Sequence, residues 1–114
     1  MQLGYVIKYV ADMDAAVAFH RDRLGLVLRF ASPFWTEFET GPTTLALHPA
    51  SAANPAGSTQ IGYRADDIDG AYEAREANGL VFTQPPTAVH GTKIAKFLDS
   101  EGAECSLGPS DAAR

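Results

Sequence analysis

LGYVIKYVADMDAAVAFHRDRLGLVLRF, residues 3–30, and STQIGYRADDIDGAYEAREANGLVFTQP, residues 58–85, follow one plan. An offset of 55 pairs Tyr5 with Gln60, Asp12 with Asp67, Met13 with Ile68, Asp14 with Asp69 and Ala16 with Ala71; one deletion later, an offset of 54 pairs Gly25 with Gly79. Repetition on this scale marks a duplicated structural unit, here strand, helix, strand. Asp12 and Asp67 are each placed to N-cap a helix, with a further acid two positions on to suit the positive end of its dipole. Gly25 and Gly79 suit the left-handed turn that ends one. Met13, Val17, His20 and Leu24 recur at helical spacing, and Ile68, Ala71, Tyr72 and Arg75 do so more weakly. Each helix has one face to bury.

After each helix the period changes to two. Residues 26–30, 34–40 and 43–48 read as strands joined by Ser-Pro and Thr-Gly-Pro turns, and residues 80–83, 93–98 and 104–107 repeat the pattern. Residues 50–58, ASAANPAGS, are small and turn-rich and are expected to link the copies. The expected fold is therefore α+β. Two βαβββ modules, residues 1–49 and 59–108, are each too small to bury their own helix and sheet well and complete one another, and a short C-terminal tail follows. A chain of 114 residues suits one such domain.

Composition excludes several function classes. Nine basic against fourteen acidic residues give a formal charge of −5, with no Lys/Arg run to track a phosphate backbone, so nucleic acid is not expected as a partner. No segment has the length and apolarity of a membrane span, and no export signal is read at the N-terminus. The single Cys105 forms no internal disulfide and no Cys-x-x-Cys pair, which points to a reducing cytoplasm.

The stretches YVADMDAAVAFHRDRLGL, FETGPTTLALHP, IGYRADDIDGAYEAREANGL and FLDSEGAECSL together resemble the glyoxalase, bleomycin-resistance and extradiol-dioxygenase superfamily, also called the vicinal oxygen chelate fold. The resemblance covers nearly the whole chain and implies a paired βαβββ fold whose strands form a curled mixed sheet around a concave cleft with helices on the outer face, commonly as a homodimer. It also implies four metal-ligand positions, on the first and last strands of each module. In this sequence they fall on Tyr5, Ala46, Gln60 and Ser106. A divalent transition metal needs several His or carboxylate ligands, which this set does not supply, so no metal or other cofactor is expected.

FLDSEGAECSLG, residues 97–108, gathers three carboxylates and the only thiol, yet it stands where the family has a turn between strands. Asp99, Ser100, Glu101 and Gly102 read as turn chemistry, and Cys105 as a small buried hydrophobe on the helix side. Glu104 shares a face with Ser106 and is the one acid of the stretch expected near the cleft. His20 reads as a packed core imidazole and His90 as an exposed loop residue. His48 shares the cleft face with Thr44 and Ala46 and reads equally as a rim hydrogen-bonding group or a base. Alternation adds Tyr5, Ile7 and Tyr9 from the first strand, Trp35, Glu37 and Glu39 from the third with Phe34, Thr36 and Phe38 turned to the helices, and Gln60, Gly62 and Arg64 from the fifth. Any one of these aromatics serves equally as core or dimer packing, and the glutamates as solvated surface.

The resulting expectation is a ligand-binding set of Tyr5, Ile7, Tyr9, Trp35, Glu37, Glu39, His48, Gln60, Glu104 and Ser106, with no catalytic residue assigned. It would hold a small aromatic or cationic molecule in a metal-free, cytoplasmic homodimer resembling the bleomycin-resistance branch, such as an antibiotic-sequestering protein. The alternative is a lyase, isomerase or dioxygenase with its metal relocated to residues such as His48, Glu37 and Glu104.

Overall fold

Asp12 and Asp67 begin the two helical segments, as their positions predict. The Asp12 carboxylate accepts the Ala15 N–H at 3.1 Å and Asp67 accepts the Gly70 N–H at 2.9 Å. In the computed structural model, which describes residues 1–110, these caps open α1 (Met13–Ala18) and α2 (Ile68–Glu73). α1 runs on as a π-helical turn over Phe19–Arg23, and α2 is followed across Ala74 by α3 (Arg75–Asn78). Gly25 and Gly79 then reverse the chain at φ of 69° and 70°, a region open to glycine at little cost. The tail expected after residue 108 runs into residues 111–114, which lie outside the described residues.

The strands are β1 (Gln2–Val10), β2 (Val27–Phe30), β3 (Thr36–Glu39), β4 (Thr44–Pro49), β5 (Thr59–Ala65), β6 (Phe82–Val89), β7 (Thr92–Leu98) and β8 (Glu104–Pro109). Contacts divide the chain into one unit of Tyr5–Gln60 and another made of Met1–Gly4 with the residues from Ile61 on. In the first, the strand order is β2-β3-β4-β1, with β1 parallel to β4 and the other pairs antiparallel. The second repeats this as β6-β7-β8-β5, with β5 parallel to β8. The fold is thus α+β with mixed sheet and few helices.

In the first unit one sheet face packs against α1. Thr36, Phe38 and Leu47 are wholly buried there; the Thr36 hydroxyl meets the Met13 sulfur at 3.4 Å and the Phe38 ring lies 5.6 Å from that of His20. His20 is therefore packed, its Nδ1 2.7 Å from the Ala16 carbonyl. The core of the second unit is Ile68, Ala95, Phe97, Cys105 and Leu107, with Tyr63 and Phe82 against them. Cys105 is a buried member of this core, and burial pushes its thiol pKa up, with Asp99 and Glu104 acting the same way. The acids beside it build a turn. Asp99 accepts the N–H groups of Glu101 and Ala103 at 2.8 and 2.9 Å, and Gly102 takes a φ of 77°.

Several elements depart from the sequence expectation for local reasons. Phe34 is 68 % exposed rather than turned to the helix. The Ser32 hydroxyl accepts the N–H groups of Phe34 and Trp35 and donates to the Trp35 carbonyl, so residues 32–35 form a turn and β3 starts only at Thr36. Leu24 is exposed, because the π-helical turn takes it off the stripe of Met13 and Val17. β6 continues through Pro85 and Pro86 to a two-residue hairpin at His90 and Gly91, both at positive φ. Prolines fit there because β6 is the terminal strand and its ladder is shifted at those residues. The 50–58 segment is tied to β1: Tyr9 exchanges backbone hydrogen bonds with Ser58 and Gly57, and Lys8 Nζ donates to the Gly57 carbonyl.

Candidate functional site

The sheet face of the first unit that turns away from α1 carries most of the expected binding residues. Parallel register sets Tyr5 beside Thr44, Ile7 beside Ala46 and Tyr9 beside His48, while antiparallel register brings Glu37 beside Ala46. Tyr5, Ile7, Tyr9 and Ala46 form a buried cluster with Trp35 packed on it. The Trp35 ring meets Tyr5 edge-on at 6.2 Å and His48 edge-on at 6.2 Å, and His48 meets Tyr9 edge-on at 5.5 Å. Such offset geometry is favourable for aromatic rings. Tyr5, Ile7 and Tyr9 are nearly sealed; Trp35 is half-buried and His48 is exposed, so these two form the accessible end of the cluster.

One residue of this face was not singled out in the sequence. Arg29, on β2, donates from one terminal nitrogen to Glu37 at 3.0 Å and to Thr44 Oγ1 at 3.2 Å, and from Nε to Glu39 at 3.2 Å; its other terminal nitrogen also meets Glu39. Its guanidinium pKa is held above the ordinary value, first by the hydrogen bond to Glu39, against burial, and then by Glu37. The second oxygen of Glu37 accepts the Trp35 indole N–H at 2.8 Å. Glu37 therefore orients the indole rather than standing as a solvated acid. Arg29 offsets one of the two carboxylate charges, which reduces the attraction this face would hold for a cation. The signal was available: the alternation that puts Glu37 and Glu39 on this face puts Val27 and Arg29 there too.

The remaining expected residues lie elsewhere in the chain. Gln60 is buried near the start of β5. Ser106 is buried on β8 opposite Gly62 and Lys96. Glu104 accepts the Thr83 hydroxyl at 2.7 Å and lies 3.7 Å from Lys96 Nζ. His90 sits exposed at its hairpin tip.

A family model described as the Glyoxalase/Bleomycin resistance protein/Dioxygenase superfamily matches residues 2–107. The chain belongs to this superfamily. No curated protein matches its sequence. Among solved structures, a methylmalonyl-CoA epimerase of Streptomyces coelicolor in complex with 2-nitronate-propionyl-CoA superposes with a TM-score of 0.77 at 18 % identity, over 100 % of this chain and 97 % of that one. A protein described as NAD-dependent benzaldehyde dehydrogenase from Legionella pneumophila gives 0.75 at 15 % identity, over 92 % and 96 %. A mutant 4-hydroxymandelate synthase of Streptomyces coelicolor gives 0.64 at 22 % identity, over 96 % of this chain but 38 % of that one. At these identities the likeness is one of fold.

The superfamily's metal chemistry does not fit the residues present. Of the two ligand positions in β1 and β4, Ala46 offers no donor and Tyr5 is sealed in the aromatic cluster with its ring against Trp35. Gln60 and Ser106 at the other two are weak neutral oxygen donors, unlike the His and carboxylate sets that hold transition metals. Among the described residues no group of three or more His, Cys, Asp or Glu side chains is arranged to hold a metal ion. No helix among them is long and apolar enough to cross a membrane.

Proposed function

We propose that this superfamily member is a small-molecule binding protein that takes an aromatic, uncharged ligand at the Trp35–His48 end of the cluster, in the manner of the bleomycin-resistance branch, without a transition metal at the superfamily's ligand positions. The observation that carries the reading is Trp35 itself. It is half-buried, held by a hydrogen bond from its ring nitrogen to Glu37 and braced edge-on by Tyr5 and His48, so its orientation is fixed before any ligand arrives. A rigid aromatic shelf of this kind favours a flat apolar partner, and burying about 300 Å² of apolar surface would contribute about 7 kcal/mol before the cost of association. Sequestration of an antibiotic in the cytoplasm is the biological role this reading proposes.

Trp35 is the only tryptophan, which makes its emission a direct reporter. Titration with a panel of polycyclic and phenolic compounds should quench or shift it for at least one class. Trp35→Ala should weaken binding of that compound at least about tenfold, measured by calorimetry. Binding of an uncharged ligand should change little with salt. A compound that binds with full affinity to Trp35→Ala, or leaves the emission unchanged, would place the site elsewhere.

A further inference from the structure

We infer that the neutral His48 ring is held as the tautomer protonated on Nδ1, so that Nε2 presents a directed lone pair at the open end of the aromatic cluster and selects ligands carrying an O–H or N–H donor on the ring edge. The inference rests on the binding role proposed for this face and adds a chemical class to it. His48 Nδ1 lies 2.8 Å from the carbonyl oxygen of Pro49. A carbonyl oxygen only accepts, so the nitrogen facing it carries the proton, and a neutral ring then has its acceptor on Nε2. No protein partner of Nε2 is found among the described residues, and the side chain is exposed.

Ring orientation is fixed as well as tautomer. Edge-on contacts to Tyr9 at 5.5 Å and to Trp35 at 6.2 Å hold the imidazole from two sides, and parallel register with β1 sets its backbone beside Tyr9. Pro49 continues β4 from the next position. The acceptor therefore stands next to the indole on which an aromatic ligand would lie. A phenol, an indole or an anilide could stack on Trp35 and donate to Nε2, whereas an ether of the same shape could only stack. Burying Nε2 without a donor would also leave that acceptor unsatisfied, which adds discrimination against the ether.

The first test needs no ligand. Nitrogen-15 spectra of the imidazoles, recorded above the ordinary titration range of histidine and assigned with a His48→Gln variant, should show a protonated Nδ1 and a pyridine-type Nε2 at His48. The opposite pattern overturns the inference while leaving the proposed function standing. The second test uses 2-naphthol and its methyl ether as probes, at neutral pH by calorimetry. The naphthol should bind about fivefold or more tighter than the ether, and the preference should vanish in His48→Phe, which keeps an aromatic ring but no acceptor. Equal binding of the two probes to the native protein overturns the inference alone. Binding of neither overturns it together with the reading of the face on which it rests.

Discussion

Both carboxylate oxygens of Glu37 are engaged, one by Arg29 and the other by the Trp35 indole. The Glu37 side chain is only 8 % exposed against 35 % for Arg29 and 50 % for Glu39, so the three charges differ in how much water screens them. Removing Arg29 takes a hydrogen-bonded cation away from a buried carboxylate, whereas Glu39 can turn to solvent. Breaking a fully buried pair costs about 3–5 kcal/mol; partial exposure of the guanidinium scales this down, and we expect Arg29→Met to lower stability by about 1–2 kcal/mol in urea unfolding. Double-mutant cycles should show stronger coupling of Arg29 to Glu37 than to Glu39, although Arg29 meets Glu39 through two of its nitrogens. A larger coupling to Glu39 would show that burial does not govern this cluster. The sequence made half of this visible. Period-two alternation puts Glu37, Glu39 and His48 on one face, where their strands run regularly, but it says nothing of which charges meet. Arg29 sits where the pairing of β2 shifts, between Leu28 opposite Phe38 and Phe30 opposite Glu37. Its partners come from β3 and β4 and depend on tertiary register.

At the scale of elements, legibility followed the strength of the local signal. Asp12, Asp67, Gly25 and Gly79 each carry a mechanism tied to one backbone position, and each stands where that mechanism requires. Asp67→Ala should cost about 1 kcal/mol by losing the bond to the Gly70 N–H. Asp66→Ala, one residue earlier and exposed, should cost little, and equal losses by thermal unfolding would argue against the cap. Helix lengths were less legible. A stripe such as Met13, Val17, His20 and Leu24 specifies a buried face, but one extra residue per turn over Phe19–Arg23 rotates the end of the helix and leaves Phe19 and Leu24 exposed. β6 was the element most underestimated. Pro85 and Pro86 forbid a central strand, and whether a strand is terminal depends on the order β5-β8-β7-β6, which no window of sequence contains.

At the scale of the whole molecule, five of the ten large apolar side chains left exposed among the described residues, namely Phe19, Leu24, Val27, Phe30 and Phe34, fall between residues 19 and 34. β2 lies in that span and is the terminal strand of its set, with one row of backbone groups not paired to another strand. An apolar, unprotected strand edge is the kind of surface that natural proteins cover or blunt with charge. We propose that a second copy of the chain covers it, giving a homodimer related by a two-fold axis. The formal charge of −5 makes two copies repel one another, so association would be driven by apolar burial and should strengthen, not weaken, as salt screens that repulsion. Sedimentation equilibrium at micromolar concentration should give twice the mass of one chain, with tighter association at higher ionic strength. Val27→Lys combined with Phe30→Lys places two cations on the edge and should shift the equilibrium to monomers while the far-ultraviolet circular dichroism stays that of the folded chain. A native monomer under these conditions would rule out the dimer, and a double variant that stays dimeric would move the interface away from β2.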